Sequence, residues 1–134
     1  MVKTLFDKIA FVHVKDRKVL VALNKGSDLW YLPGGHREPG ETDAETLIRE
    51  VKEELSVDIL PDTIAHVNTY VAQAHGHPEG EMGRFMYYTA SYEGDLEASS
   101  EIAEIRFFSY DRRDRVSAPT QMLFDELKGK DLIE

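Results

Sequence analysis

The sequence predicts a mixed α/β (α+β) fold, and three features point to it. Short runs of β-forming residues recur along the chain, at Phe6–Val14, Val19–Leu23, Ile64–Ala74, Phe85–Tyr92 and Ser99–Phe108. One segment between them, Thr42–Leu55, carries apolar residues at helical spacing, and a second helical segment closes the chain at Ser117–Leu127. The resulting order, β-β-(β)-α-β-β-β-α, suits a mixed sheet sandwiched between helices.

Taken in order, Phe6–Val14 and Val19–Leu23 read as a hairpin about the polar turn Lys15-Asp16-Arg17-Lys18. The unbroken apolar run of the second strand indicates burial on both faces. Asn24–Asp28 is a loop, and Leu29-Trp30-Tyr31-Leu32 leads into the turn-forming Pro33-Gly34-Gly35 and Pro39-Gly40. Thr42-Asp43-Ala44-Glu45 has the pattern of a capping box at a helix start. At 100° per residue Ala44, Leu47, Ile48, Val51 and Leu55 form one stripe, the face a sheet would cover. Ser56–Ile59 is a short extended piece ended by Pro61. Ile64–Ala74 and Phe85–Tyr92 form a long antiparallel hairpin about the loop His75–Glu81, and Glu93-Gly94-Asp95 is a turn. Asp111–Arg115 is a charged connector. The last helix has Pro119 in its first turn, an apolar stripe of Met122, Leu123 and Leu127, and Gly129 at its end.

The composition narrows the function classes. At 134 residues, with 42% hydrophobic and 31% charged residues, the chain reads as one globular domain, residues 1–134, with a sizeable core. A net charge of −9 argues against a nucleic-acid polymer as partner. There is no cysteine, so neither a disulfide framework nor thiol chemistry is available. No apolar run is long enough to span a membrane, and MVKTLFDKIAF lacks the apolar centre of a secretory leader, so a cytoplasmic protein is expected.

The chemistry concentrates at Gly35–Val57. Glu50, Glu53 and Glu54 stand at i, i+3 and i+4, so three carboxylates are neighbours on one helix face. Alone they would repel by roughly 0.2–0.5 kcal/mol per pair, whereas a hard divalent cation such as Mg²⁺, or Mn²⁺, would make them favourable. Glu41 and Arg49 are placed to form an ion pair between the loop and the helix.

This stretch resembles the Nudix box, G-x5-E-x7-R-E-U-x-E-E-x-G-U with U aliphatic. Gly35, Glu41, Arg49, Glu50, Val51, Glu53, Glu54 and Val57 match in register, and Ser56 stands where the family has glycine. That glycine would cap the helix in the left-handed conformation, which costs a non-glycine residue on the order of 1 kcal/mol. The resemblance implies the MutT-like Nudix fold, an α/β/α sandwich, and a Mg²⁺-dependent (Mn²⁺ possible) hydrolase of a nucleoside diphosphate linked to another group. It implies Glu50, Glu53 and Glu54 as metal ligands with the Gly34 carbonyl, Glu53 or Glu101 as the base for the attacking water, and Arg49 with Glu41 as a brace. Glu101 and Glu104 resemble the E-x-x-E that often precedes the last strand in the family, Glu101 lying deeper in the loop. The substrate expected is a nucleoside triphosphate or related small nucleotide, with ADP-ribose, a nucleotide sugar or a non-catalytic nucleotide sensor as alternatives; the protein would act as a monomer or homodimer.

Four further residues are candidates for substrate binding. Trp30 and Tyr31 offer rings for stacking a nucleobase or for packing at a sheet edge. His75 lies in the loop of the long hairpin, where substrate contacts often sit, or is simply solvated. Arg84 offers a guanidinium for a phosphate or for a surface ion pair.

Overall fold

The computed structural model describes residues 3–134; Met1 and Val2, part of the N-terminal stretch considered as a leader, lie outside the described residues. The chain forms β1 (Lys3–Val12), β2 (Val14–Lys15), β3 (Lys18–Asn24), β4 (Trp30–Tyr31), β5 (Gly34–Gly35), α1 (Asp43–Leu55), β6 (Asp58–Ile59), β7 (Ala65–Gln73), β8 (Glu81–Thr89), β9 (Tyr92–Glu93), β10 (Ile102–Phe108) and α2 (Ala118–Gly129). One sheet has the order β5-β1-β8-β7, a second runs β10-β3-β2 with β4 on β3, and β6 pairs with β9. Parallel β1–β8 pairing among antiparallel neighbours makes the first sheet mixed.

Strand alternation divides the interior into two cores. Ile9 and Phe11 of β1 and Leu20 of β3 pack with Leu47, Val51 and Leu55 of α1. Ala10, Val12, Val19 and Val21 point the other way and pack with Leu123, Phe124 and Leu127 of α2. Both sides of the strands are therefore covered, each by one helix, as the unbroken apolar run of β3 predicts. Among the described residues no helix is long and apolar enough to cross a membrane.

The first hairpin differs from expectation. Only Val14–Lys15 and Lys18–Val19 pair, about Asp16 and Arg17 at φ 51° and 61°, both left-handed as a two-residue turn requires. β1 ends at Val12, before that ladder begins, and runs between β5 and β8. In the last helix Met122 is exposed and Phe124 takes its place in the core. Gly129 lies inside the final turn, which closes at Lys130 and is followed by Asp131 at φ 57°.

Candidate active site

The site is built on the N-terminal loop and outer face of α1. Thr42 Oγ1 accepts from the Glu45 N–H, and the Glu45 carboxylate accepts from the Thr42 N–H, completing the expected capping box. Arg49 then ties the loop to the helix. Its Nε and Nη2 donate to the two oxygens of Glu41 at 2.7 and 2.9 Å, and Nη2 also reaches the His36 carbonyl. Arg49 draws the Glu41 carboxyl down to about 2. The third nitrogen, Nη1, donates to Glu50 at 2.7 Å and lies 3.6 Å from Glu53.

Two glycines make room for this face. A Cβ on Gly34 would lie 2.0 Å from the Ile9 carbonyl, so only glycine lets β5 approach β1. A Cβ on Gly35 would lie 2.4 Å from the Glu50 carboxyl carbon, so that carboxylate occupies space which any other residue would fill. Gly34 meets the site through its N–H, which donates to Glu54 Oε1 at 2.8 Å. Burial pushes the Glu54 carboxyl up to about 7; the Gly34 N–H and Lys8 oppose the rise, and Glu50 and Glu53 add to it. Three oxygen-donor side chains on one turn have the chemistry a hard divalent cation takes, and the raised Glu54 carboxyl would have to give up its proton to join them. Among the described residues the three carboxylates do not converge on a single point, because Arg49 sits between Glu50 and Glu53 and the Gly34 N–H holds Glu54.

The far end of α1 is closed by a loop. Of its last four carbonyls, Lys52 accepts from Ser56 N–H, Glu53 from Ser99 Oγ, Glu54 from Ser99 N–H and Leu55 from Glu97 N–H. Ser56 is left-handed at φ 65°, and its hydroxyl donates to the Glu97 carbonyl at 3.1 Å. The loop so fixed leads to Glu101, exposed just before β10, while Glu104 is engaged by Arg106.

Beside the carboxylates opens a cleft bordered by Phe6, Lys8, Tyr31, His36, His75 and Phe85. Tyr31 and His75 come together there, their ring centroids 5.9 Å apart. Trp30 does not join them: its ring is buried against Phe108, with centroids 4.9 Å apart, and belongs to the core. Arg84 is also engaged elsewhere, pairing through Nε and Nη2 with both oxygens of Asp7 at 2.8 Å, as a surface ion pair. Lys8 is a site residue that the sequence motifs do not reveal; its ammonium lies 5.1 Å from the centre of the Tyr31 ring. Period two along β1 sets Lys8 in line with Phe6, Ala10 and Val12, but Ile9 and Phe11 make the opposite row apolar too, so the alternation does not single Lys8 out.

A NUDIX domain family model matches residues 7–123, a span that contains the loop, α1 and every named cleft residue but Phe6. The chain belongs to the Nudix family. The protein YjhB of Bacillus subtilis, provisionally named an ADP-ribose pyrophosphatase, is 31% identical over 125 residues, covering 87% of this chain and 59% of its own. The CTP pyrophosphohydrolase of Escherichia coli is 28% identical over 104 residues, covering 75% of this chain and 70% of its own. The chain thus spans less than two thirds of YjhB. Among solved structures the E. coli ORF135 protein superimposes with a TM-score of 0.74 at 22% identity, covering 94% of this chain and 90% of that one, which shows the shared Nudix fold.

Proposed function

We propose that this chain is a divalent-cation-dependent hydrolase of a diphosphate linkage in a nucleoside diphosphate derivative, with a nucleoside triphosphate or related small nucleotide as preferred substrate. One observation carries the reading: Glu50, Glu53 and Glu54 sit on one braced helix face, with Glu50 and Glu54 against β5 (Gly34–Gly35), beside a cleft with Tyr31 and His75 at its wall. The names of the relatives, which differ in substrate and share pyrophosphate cleavage, support the reaction class. YjhB's name favours ADP-ribose as a second substrate reading.

In this reaction water adds to one phosphorus, the bridging P–O bond breaks, and the electron pair leaves with the departing phosphate. Glu50, Glu53 and Glu54 would hold Mg²⁺ or Mn²⁺, with the Gly34 main chain alongside. The cation, when bound, neutralises charge on the phosphate oxygens. Glu53, half-exposed at the helix surface, takes the proton from the attacking water. Glu101 is its competitor for that role, since its side chain is exposed while Glu104 is paired. Arg49 and Glu41 keep the loop and helix in register throughout.

The test is release of phosphate or pyrophosphate from nucleoside triphosphates, oxidised purine triphosphates, ADP-ribose, nucleotide sugars and dinucleotides, with and without Mg²⁺ or Mn²⁺. Glu53→Gln is expected to fold normally and to lose roughly 10²–10⁴ in turnover, the range of a positioned proton acceptor. Full activity in Glu53→Gln with loss in Glu101→Gln would move the base to Glu101. Binding of a nucleotide without turnover of any substrate would favour a sensor on the same fold.

A further inference from the structure

Lys8 occupies a place that the fold otherwise gives to apolar side chains. It lies on β1, which runs between β5 and β8, with Phe85 opposite on β8 and with Phe6, Ala10 and Val12 on the same face. Withdrawing an ammonium from water there is costly unless something anionic or aromatic compensates. Among the described residues Lys8 forms no side-chain hydrogen bond or ion pair; its ammonium rests over the face of Tyr31, and Glu54 and Glu50 act on it only through space. It is also the only lysine or arginine among the described residues that border the cleft, in a chain of net charge −9. A polyanion entering beside three glutamates needs a fixed positive charge at that entrance.

We propose that Lys8 is a substrate-positioning residue: its ammonium takes a non-bridging oxygen of the substrate's phosphate chain where the cleft meets the carboxylate face, and the Tyr31 ring holds the ammonium in place. Tyr31 then acts through Lys8 instead of stacking a nucleobase on the face that Lys8 covers. The inference rests on the hydrolase reading of the site. It adds a determinant for the phosphate chain that lies outside the Nudix box.

The probe is inorganic tripolyphosphate, titrated calorimetrically into the whole protein at saturating Mg²⁺, beside steady-state kinetics on the best nucleotide. Lys8→Met, which suits an inward position, is expected to weaken tripolyphosphate at least tenfold and to raise KM by a similar factor, more than it lowers kcat. Lys8→Gln serves as a second neutral variant should the methionine disturb folding. Tyr31→Phe keeps the ring face and should preserve tripolyphosphate affinity, whereas Tyr31→Leu should weaken it several-fold. Unchanged tripolyphosphate affinity in both neutral variants overturns the proposal. So does tighter Mg²⁺ binding with unchanged phosphate affinity, which would make Lys8 a counter-ion to the glutamates alone, and so does failure of the wild type to bind tripolyphosphate. If the wild type turns over no nucleotide, the hydrolase reading falls, and the calorimetry still decides for or against Lys8.

Discussion

Ser56 holds a left-handed backbone where a glycine would be free of strain, and its side chain offsets part of that cost. The conformation costs a non-glycine residue about 1–2 kcal/mol, while the hydroxyl's bond to the Glu97 carbonyl contributes about 0.5–1.5 kcal/mol. Ser56→Gly removes both effects, and the difference between them puts the expected change between a loss of about 0.5 kcal/mol and a gain of about 1.5 kcal/mol. Ser56→Ala keeps the strain and loses the bond, so it should destabilise by about 1 kcal/mol. Urea denaturation of the pair checks this; equal stability of alanine and serine would show that the hydroxyl contributes nothing. Single residues are unevenly legible in the sequence. The carboxylates and the Glu41–Arg49 pair are visible because local spacing fixes helical neighbours. The roles of Trp30 and Arg84 are not, because their partners, Phe108 and Asp7, come from distant strands. Lys8 is hidden because β-forming residues mark β1 as a strand without marking which of its sides faces the cleft.

At the scale of elements, α1 and its preceding loop behave as one braced unit. Glu41 accepts from Arg49 and from the Glu38 N–H and Thr46 hydroxyl, so its charged form is held by both loop and helix. Its carboxyl falls from 4.5 to about 2, with the Arg49 hydrogen bond as the main cause. A depressed carboxylate contributes stability that is present above its unfolded value and lost as pH falls towards its folded one. The brace should therefore weaken between pH about 4.5 and about 2. Chemical denaturation across that window is expected to show a smaller acid loss in Glu41→Gln than in the wild type, from a lower starting stability. Identical acid limbs would mean that the brace carries no linkage. This unit is readable because every part lies within one local stretch. The pairing of β1 is not, since period-two alternation is the same whether a strand joins its neighbour in sequence or a distant one. Here β2 and the start of β3 keep only the turn of the expected hairpin, while β1 takes β8 as a parallel partner.

Over the whole molecule, an acidic chain concentrates three glutamates beside a partly desolvated cleft, and that arrangement links proton to stability and, on the proposed function, to a metal. Burial holds the Glu54 proton up to about 7, against an ordinary 4.5. Between those values the folded chain keeps a proton that the unfolded chain releases. The relative stability this gives is complete below about 4.5 and is lost as pH rises through about 7 in metal-free protein. A divalent cation at this face needs the carboxylate form, so it competes with that proton and binds better as pH rises. Because a ligand that binds only the native state raises the melting temperature, the Mg²⁺-induced rise should be larger at pH 8 than at pH 6. Glu54→Gln should melt higher than the wild type without metal at pH 8, since it removes an ionised carboxylate from a partly buried position, and should lose most of the Mg²⁺ response at both pH values. Equal Mg²⁺ shifts at the two pH values in the wild type would remove Glu54 as the group that couples proton to cation. A full response in Glu54→Gln would remove it from the ligand set, leaving Glu50 and Glu53 to hold the cation.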